Sequence, residues 1–148
     1  MPSEFVPDEF VVPLSFDGRG FRLEPLGPKH NERDYAAWMS SVDHIRSTPG
    51  FEDWDWPTPM TLDENRNDLV DHADDFENRS GFTYSILDDD EVLGCVYIYP
   101  STIPDVDAHV RSWVTELRSE LDVVVWSALS QWLEQSWPFR NLKYSVRS

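Results

Sequence analysis

The stretch Ala108-His109-Val110-Arg111-Ser112-Trp113-Val114, followed by Glu116 to Gln135 and then by Leu142-Lys143-Tyr144-Ser145-Val146, decides the fold. The first segment alternates apolar and polar residues, as a half-buried strand does. The second puts Leu117, Leu121, Val124, Ala128 and Trp132 on one helical face. Its run Asp122-Val123-Val124-Val125 weakens the helix, because β-branched side chains propagate helices less readily. The third segment is a short strand. Strand, long helix and strand in succession predict a right-handed crossover and a parallel strand pair.

Upstream, Phe82-Thr83-Tyr84-Ser85-Ile86-Leu87 alternates, Asp88-Asp89-Asp90 turns, and Glu91 to Tyr99 is rich in β-branched and aromatic residues. An antiparallel hairpin follows. Thr61-Leu62-Asp63-Glu64 is a capping box that opens a helix. Leu62, Leu69, Ala73 and Phe76 form its apolar face, and Gly81 is expected to supply a left-handed cap. An earlier helix carries Tyr35, Trp38, Met39 and Val42, with Asn31 and Glu32 near its start. From His44 to Met60 the periodicity breaks around Pro49, Gly50, Pro57 and Pro59, which predicts a structured loop. Phe21 to Leu26 reads as a strand that Pro25 confines to a sheet edge or a strand end. Residues 1–17, with Pro2, Pro7 and Pro13, read as an extended, loosely attached lead-in to a single domain over 18–148.

A formal net charge of -16, with Lys29 and Lys143 the only lysines, repels phosphate backbones and anionic membranes alike. Nucleic acid and membrane are therefore excluded as partners. Such acidity fits either a high-salt cytoplasm, where charges are screened within about 3 Å at 1 M, or ordinary solubility. Seven tryptophans give the chain enough apolar mass to fold despite its charge. Glu4, Asp8 and Glu9 stand where a signal peptide would have a basic start, and no apolar run has membrane-spanning length. A cytoplasmic location is expected. The lone Cys95 sits in a strand interior and reads as an inert buried thiol.

The order strand, helix, helix, hairpin, strand, long helix, strand, with Ser112-Trp113-Val114 immediately before the long helix, resembles the GNAT superfamily of acetyl-CoA-dependent N-acetyltransferases. The opening Phe21-Arg22-Leu23-Glu24-Pro25-Leu26-Gly27-Pro28 and the hairpin strand Val92-Leu93-Gly94-Cys95-Val96-Tyr97-Ile98 are similar to that family as well. The resemblance implies an α/β (α+β) three-layer fold, with a mixed, mostly antiparallel sheet and helices on both faces. It also implies acetyl transfer from acetyl-CoA to an amine of a small molecule or peptide. In that family the strand before the long helix turns backbone groups to the pantetheine arm, positions that fall here on Trp113, Val114 and Thr115. Arg118 and Ser119 would lie near the pyrophosphate.

The family's phosphate loop is an Arg or Gln followed by alternating glycines, which let backbone amides close on the pyrophosphate at a helix N-terminus. Here the matching stretch is Glu116-Leu117-Arg118-Ser119-Glu120-Leu121-Asp122-Val123: Arg118 is present, every glycine is absent, and three carboxylates repel phosphate. A non-catalytic module that binds a small molecule or partner is the alternative reading. The resemblance also places a helix and two strands after the last strand, and the sequence ends at Ser148 before them. No residue here therefore inherits the tyrosine that protonates the departing thiolate, and the unfinished sheet edge invites a homodimer.

Amine acylation needs a general base. His109 is one candidate, with Tyr99 and Tyr97 as proton relays; each also reads as an ordinary sheet residue. The loop Phe51-Glu52-Asp53-Trp54-Asp55-Trp56-Pro57 interleaves aromatics with carboxylates, so Asp53, Trp54, Trp56 and Tyr97 would suit a cationic amine or guanidinium. A proline-braced plug over the core edge explains the same loop equally well. His30, His44 and His72 lack ligand spacing and read as surface or capping residues. Asp71, Asp74 and Asp75 and the Asp88–Asp90 run lack the calcium-loop pattern and read as solvated, so no metal is expected.

Overall fold

A computed structural model describes residues 4–147. Six strands form one sheet in sequence order: β1 (Phe16–Asp17), β2 (Arg22–Pro25), β3 (Phe82–Asp88), β4 (Glu91–Pro100), β5 (Ala108–Val114) and β6 (Leu142–Tyr144). Every neighbouring pair is antiparallel except β5 and β6, which run parallel on either side of α4 (Leu121–Ser136). The other helices are α1 (Asn31–Met39), α2 (Val42–Arg46) and α3 (Leu62–Glu77). The expected mixed three-layer architecture and the parallel strand-helix-strand unit are both present.

Strand alternation sorts the side chains into two cores. Phe82, Tyr84, Ile86, Val96, Ile98 and Val110 face α4, whose Val125, Leu129, Trp132 and Leu133 are buried against them. Leu87, Cys95, Tyr97 and Trp113 face the opposite way and meet Trp38, Ile45 and Leu69 from α1–α3. The register of β3 against β4 shifts between Ile86 and Leu87, which leaves Leu93 as the extra residue of a bulge. At this point the carbonyl of Leu93 accepts from the Thr115 amide at 2.8 Å.

Several local expectations need correcting. Gly81 is not the left-handed cap of α3. Arg79 takes that conformation at φ 61°, and its amide and that of Ser80 close the last turn onto Phe76 and Asp75. Gly81 instead leaves room for the Tyr99 ring, which a Cβ would overlap. The Thr61–Glu64 capping box does form, at 3.1 and 2.8 Å, although Leu62 is exposed. The long helix starts at Leu121 rather than Glu116, because residues Glu116–Arg118 make a separate 3-10 turn that leaves Leu117 91% exposed. The turn-and-proline loop is structured as expected, but α2 occupies its first residues.

From Glu4 onward, where the described residues begin, the lead-in is not loose. Val6 is buried in the α4-side core, Phe5 stacks between Phe82 and Phe139, and the Tyr84 hydroxyl donates to the Pro13 carbonyl at 2.7 Å. Pro25 ends β2, which lies inside the sheet, so the strand-end alternative is the one observed. The outer edge of β6 is only three residues long and carries Lys143, a length and charge that discourage strand pairing. Among the described residues no helix is long and apolar enough to cross a membrane.

The bulge gives a direct test of β4–β5 packing. A Cβ on Gly94 would overlap the Trp113 carbonyl oxygen, whereas one on Gly27 meets nothing. Gly94→Ala is expected to cost about 3 kcal/mol, since backbone must move, and Gly27→Ala to stay within about 0.5 kcal/mol. Urea denaturation of both variants checks the contrast.

Candidate functional site

A cavity of about 310 Å³ opens on the α1–α3 side of the sheet. Helix α3 lines it with Asn65, Asp68, His72 and Asp75, spaced three or four residues apart so that they share one helical stripe, and with Asp71 at the edge of that stripe. Asp34 of α1 closes its floor, Tyr97 of β4 its back, and Trp54 and Trp56 its outer wall. The tryptophans are held by edge-on and tilted ring contacts: Trp54 lies 5.3 Å from Tyr97 and Trp56 5.4 Å from Trp38. The Arg46 guanidinium pins their loop by donating to the Pro57 carbonyl at 2.6 Å. Outside, Arg111 covers Trp54 at 4.5 Å and donates to the Gly50 carbonyl at 2.8 Å.

The floor of the cavity is a buried polar network. Asn65 donates to Asn31 at 2.8 Å and to Asp34 at 3.2 Å while accepting from the Trp38 indole at 3.0 Å. The Cys95 thiol donates to the other Asp34 oxygen at 3.4 Å, and burial pushes that thiol well up, so it stays protonated. Asp34 is only 4% exposed, and burial raises its carboxyl to about 6 against the hydrogen bonds from Asn65 and Cys95 that lower it. Burial likewise raises Asp68.

At the other end His72 Nδ1 lies 3.0 Å from both the Tyr99 hydroxyl and the Thr83 hydroxyl. The Tyr99 hydroxyl itself donates to Asp75 at 2.9 Å. Burial lowers His72 despite Asp75, Asp68 and Asp71, which favours the neutral imidazole, and burial raises Tyr99 so that it keeps its proton. Four carboxylates therefore surround the cavity, and no Lys or Arg lines it among the described residues.

Of the acceptor-side residues expected from sequence, Trp54, Trp56 and Tyr97 come together here, and Tyr99 joins them through His72. The tryptophans both cover the core edge and wall the cavity, so the two readings of their loop coexist. Asp53 is exposed and outside the cavity, beside Arg111. His109 pairs across the strands with Tyr99 but does not line the cavity. Burial, with Arg111 and Lys143, lowers it. His30 is a buried cap: it receives the Gly27 amide at 3.1 Å and lies 2.8 Å from Glu24. Sequence reasoning missed Asp34, Asn65 and Asp68, and it read His72 as a surface or capping residue and Asp71 and Asp75 as solvated, whereas all of them line the cavity; the polar stripe on α3 was a readable signal.

The cofactor-side positions do not assemble into a phosphate site. Trp113 is fully buried, and its indole donates to the Tyr97 hydroxyl at 2.9 Å. Val114 is buried, and the Thr115 amide is spent on Leu93. Arg118 turns to the hairpin and is shared by Glu91 at 3.1 Å, Glu120 at 3.5 Å and Asp88 at 3.6 Å. Ser119 belongs to the turn before α4, its amide bonded to Glu116.

Between β5 and β6 lies the Arg147 side chain, only 3% exposed. Its guanidinium donates to Asp122 at 2.7 Å, to the Ser112 carbonyl at 2.7 Å and to the Ser145 carbonyl at 2.8 Å. The residues present do not fit acetyl-CoA: the Ser112 carbonyl, on the β6 side of β5, already has a donor, and the start of α4 is acidic. Among the described residues no group of three or more His, Cys, Asp or Glu is arranged to hold a metal.

The fold is that of the GNAT acetyltransferases. The chain is similar to the ribosomal-protein-S5-alanine acetyltransferase of Vibrio fischeri at TM-score 0.60 and 12% identity, over 82% of this chain and 68% of that one. It is similar to RimL, the ribosomal L7/L12 α-N-protein acetyltransferase, at TM-score 0.58 and 12% identity, over 83% and 64%. It is also similar to the microcin C7 self-immunity acetyltransferase MccE, solved with acetyl-CoA and AMP, at TM-score 0.58 and 13% identity, over 81% and 63%. The chain thus spans about two thirds of the length of these structures. No protein-family model matches the sequence, and no curated protein matches it.

Asp34 gives a pH prediction with a definite sign. Its carboxyl is raised to about 6 in the folded protein, above the ordinary aspartate value of 3.8, so the native state binds more protons between the two values. Its contribution to stability is present at low pH and is lost as pH rises through about 6. Relative to Asp34→Asn, the wild type should lose about 3 kcal/mol between about pH 4 and about pH 7. Urea titrations of both proteins across that range measure it.

Proposed function

We propose that this GNAT-fold domain binds an organic cation, an amine or guanidinium of a small molecule or peptide, in the cavity between α1, α3 and the tryptophan loop. The observation that carries the reading is the cavity's composition: Asp34, Asp68, Asp71 and Asp75 without a lining cation, walled by Trp54, Trp56 and Tyr97. Carboxylates crowded in a partly dry site are stabilised by an ammonium or guanidinium, and aromatic faces attract the same charge by about 0.5–2 kcal/mol each. An alkyl stem would cover the tryptophan wall while its charged head reaches the aspartates.

A second reading, that the bound amine receives an acetyl group from acetyl-CoA, is favoured by the fold neighbours, one of which was solved with acetyl-CoA. That reading needs the amine deprotonated, and the neutral His72 is the cavity's most suitable base. The carboxylates work against it, because they hold an amine in its protonated form. The reading also needs a cofactor position that the residues between β5 and β6 do not supply.

Calorimetry with alkylamines, diamines and alkylguanidines, against alcohols of matching shape, tests the proposal. Cations should bind with salt-sensitive affinity and the alcohols should not, and Asp68→Asn should weaken binding about tenfold. Binding should also release protons near pH 6, where a cation beside Asp34 shifts its raised pKa down, and none at about pH 8. Equal heats for amines and alcohols would remove the proposal. Release of free thiol when acetyl-CoA and a bound amine are mixed would establish the second reading.

A further inference from the structure

We infer that Arg147 is a built-in strut occupying the gap between β5 and β6, and that this chain keeps those strands in place with its own side chain, leaving no opening there for a ligand arm. The two strands pair only through Ala108, His109 and Val110 against Leu142, Lys143 and Tyr144. Beyond that point the join is made by side chains. Directly beneath the strut, the Ser112 and Tyr144 hydroxyls meet at 2.6 Å in a buried contact. Above them the guanidinium spans from the Ser112 carbonyl on β5 to the Ser145 carbonyl after β6, with its third side on Asp122 in the first turn of α4.

Each of its three nitrogens has an acceptor at 2.7 to 2.8 Å. A planar, permanently charged fork suits this position, and a flexible ammonium does not. The strut ties β5, β6 and α4 together, three elements that backbone pairing alone leaves splayed. A ligand arm entering the gap would have to break all three bonds. It would also strand Asp122, whose second carboxylate oxygen is already buried without a hydrogen-bond partner among the described residues. An unpaired carboxylate at the start of α4 would then oppose any phosphate brought there, and Arg118 is committed to Asp88, Glu91 and Glu120. The gap is thus closed by charge as well as by volume.

The inference does not rest on amine binding, and the experiment separates the two. Wild-type protein titrated with acetyl-CoA by calorimetry, at low and high salt, should give no saturable heat. Arg147→Ala should lower the melting temperature by about 6–12 °C, as expected for breaking one side of a buried pair in a chain of this size. Arg147→Lys should recover only part of that loss. Asp122→Asn should destabilise the wild type, and should cost clearly less in the Arg147→Lys background, where the pair is held less well. The Lys and Asn variants keep the test readable should the Ala variant not fold. Alkylamine affinity should be unchanged in Arg147→Lys, so failure of the amine reading would show separately. Saturable acetyl-CoA binding to the wild type, an unchanged melting temperature in Arg147→Ala, or additive effects of the Asn and Lys substitutions would each overturn the inference.

Discussion

Strand β4 is buried on both faces from Val92 to Ile98, and the remaining architecture follows from that constraint. A strand with apolar side chains pointing both ways must be covered twice, which requires α4 and the N-terminal segment on one side and α1–α3 on the other. Its bulge at Leu93, with the bare backbone of Gly94 against the Trp113 carbonyl, presses the end of β5 close to β4. The same strand builds the cavity, because Cys95, Tyr97 and Tyr99 all point to the α1–α3 side and meet Asp34, the tryptophan loop and His72 there.

The charge of the chain divides into two physically different kinds. Most acidic side chains are solvated, and their mutual repulsion is screened by water and salt. Asp34 and Asp68 differ because burial raises their affinity for protons, and among the described residues no Lys or Arg forms an ion pair with them. The scarce arginines are used elsewhere: Arg46 and Arg111 brace the tryptophan loop, Arg79 ties the lead-in through the Pro7 and Phe10 carbonyls, and Arg147 bridges the strands. With so few cations, a cavity of unpaired carboxylates gains most from a cation supplied from outside.

What the sequence disclosed was what short-range pattern controls. The hairpin, the Thr61–Glu64 box and the strand-helix-strand unit all rest on neighbours within a few residues, and all are present. The start of α4 was misplaced because Leu117 continues the helical period, although its side chain points to solvent. Arg79 was overlooked as a cap because a glycine stood two positions later. The stripe of Asn65, Asp68, Asp71, His72 and Asp75 reads as a solvated helix face in sequence, because the loop of Trp54 and Trp56 that folds over it lies outside the helix period. Arg147 carried no signal, since its partners Asp122 and Ser112 are 25 and 35 residues distant.

Fold and chemistry come apart at the β5–β6 gap. Two parallel strands that diverge after three paired residues leave a wedge whose polar edges must be satisfied, because buried carbonyls without donors are costly. A bound molecule can satisfy them, and so can a side chain. Here a guanidinium does so, and its charge is matched by a carboxylate placed where a phosphate would otherwise be attracted. The topology is therefore kept while the reason for a ligand in the wedge is removed. The opposite side of the sheet has the reverse balance, with four carboxylates and no Lys or Arg among the described residues that line its cavity, which is why the proposed cation site lies there.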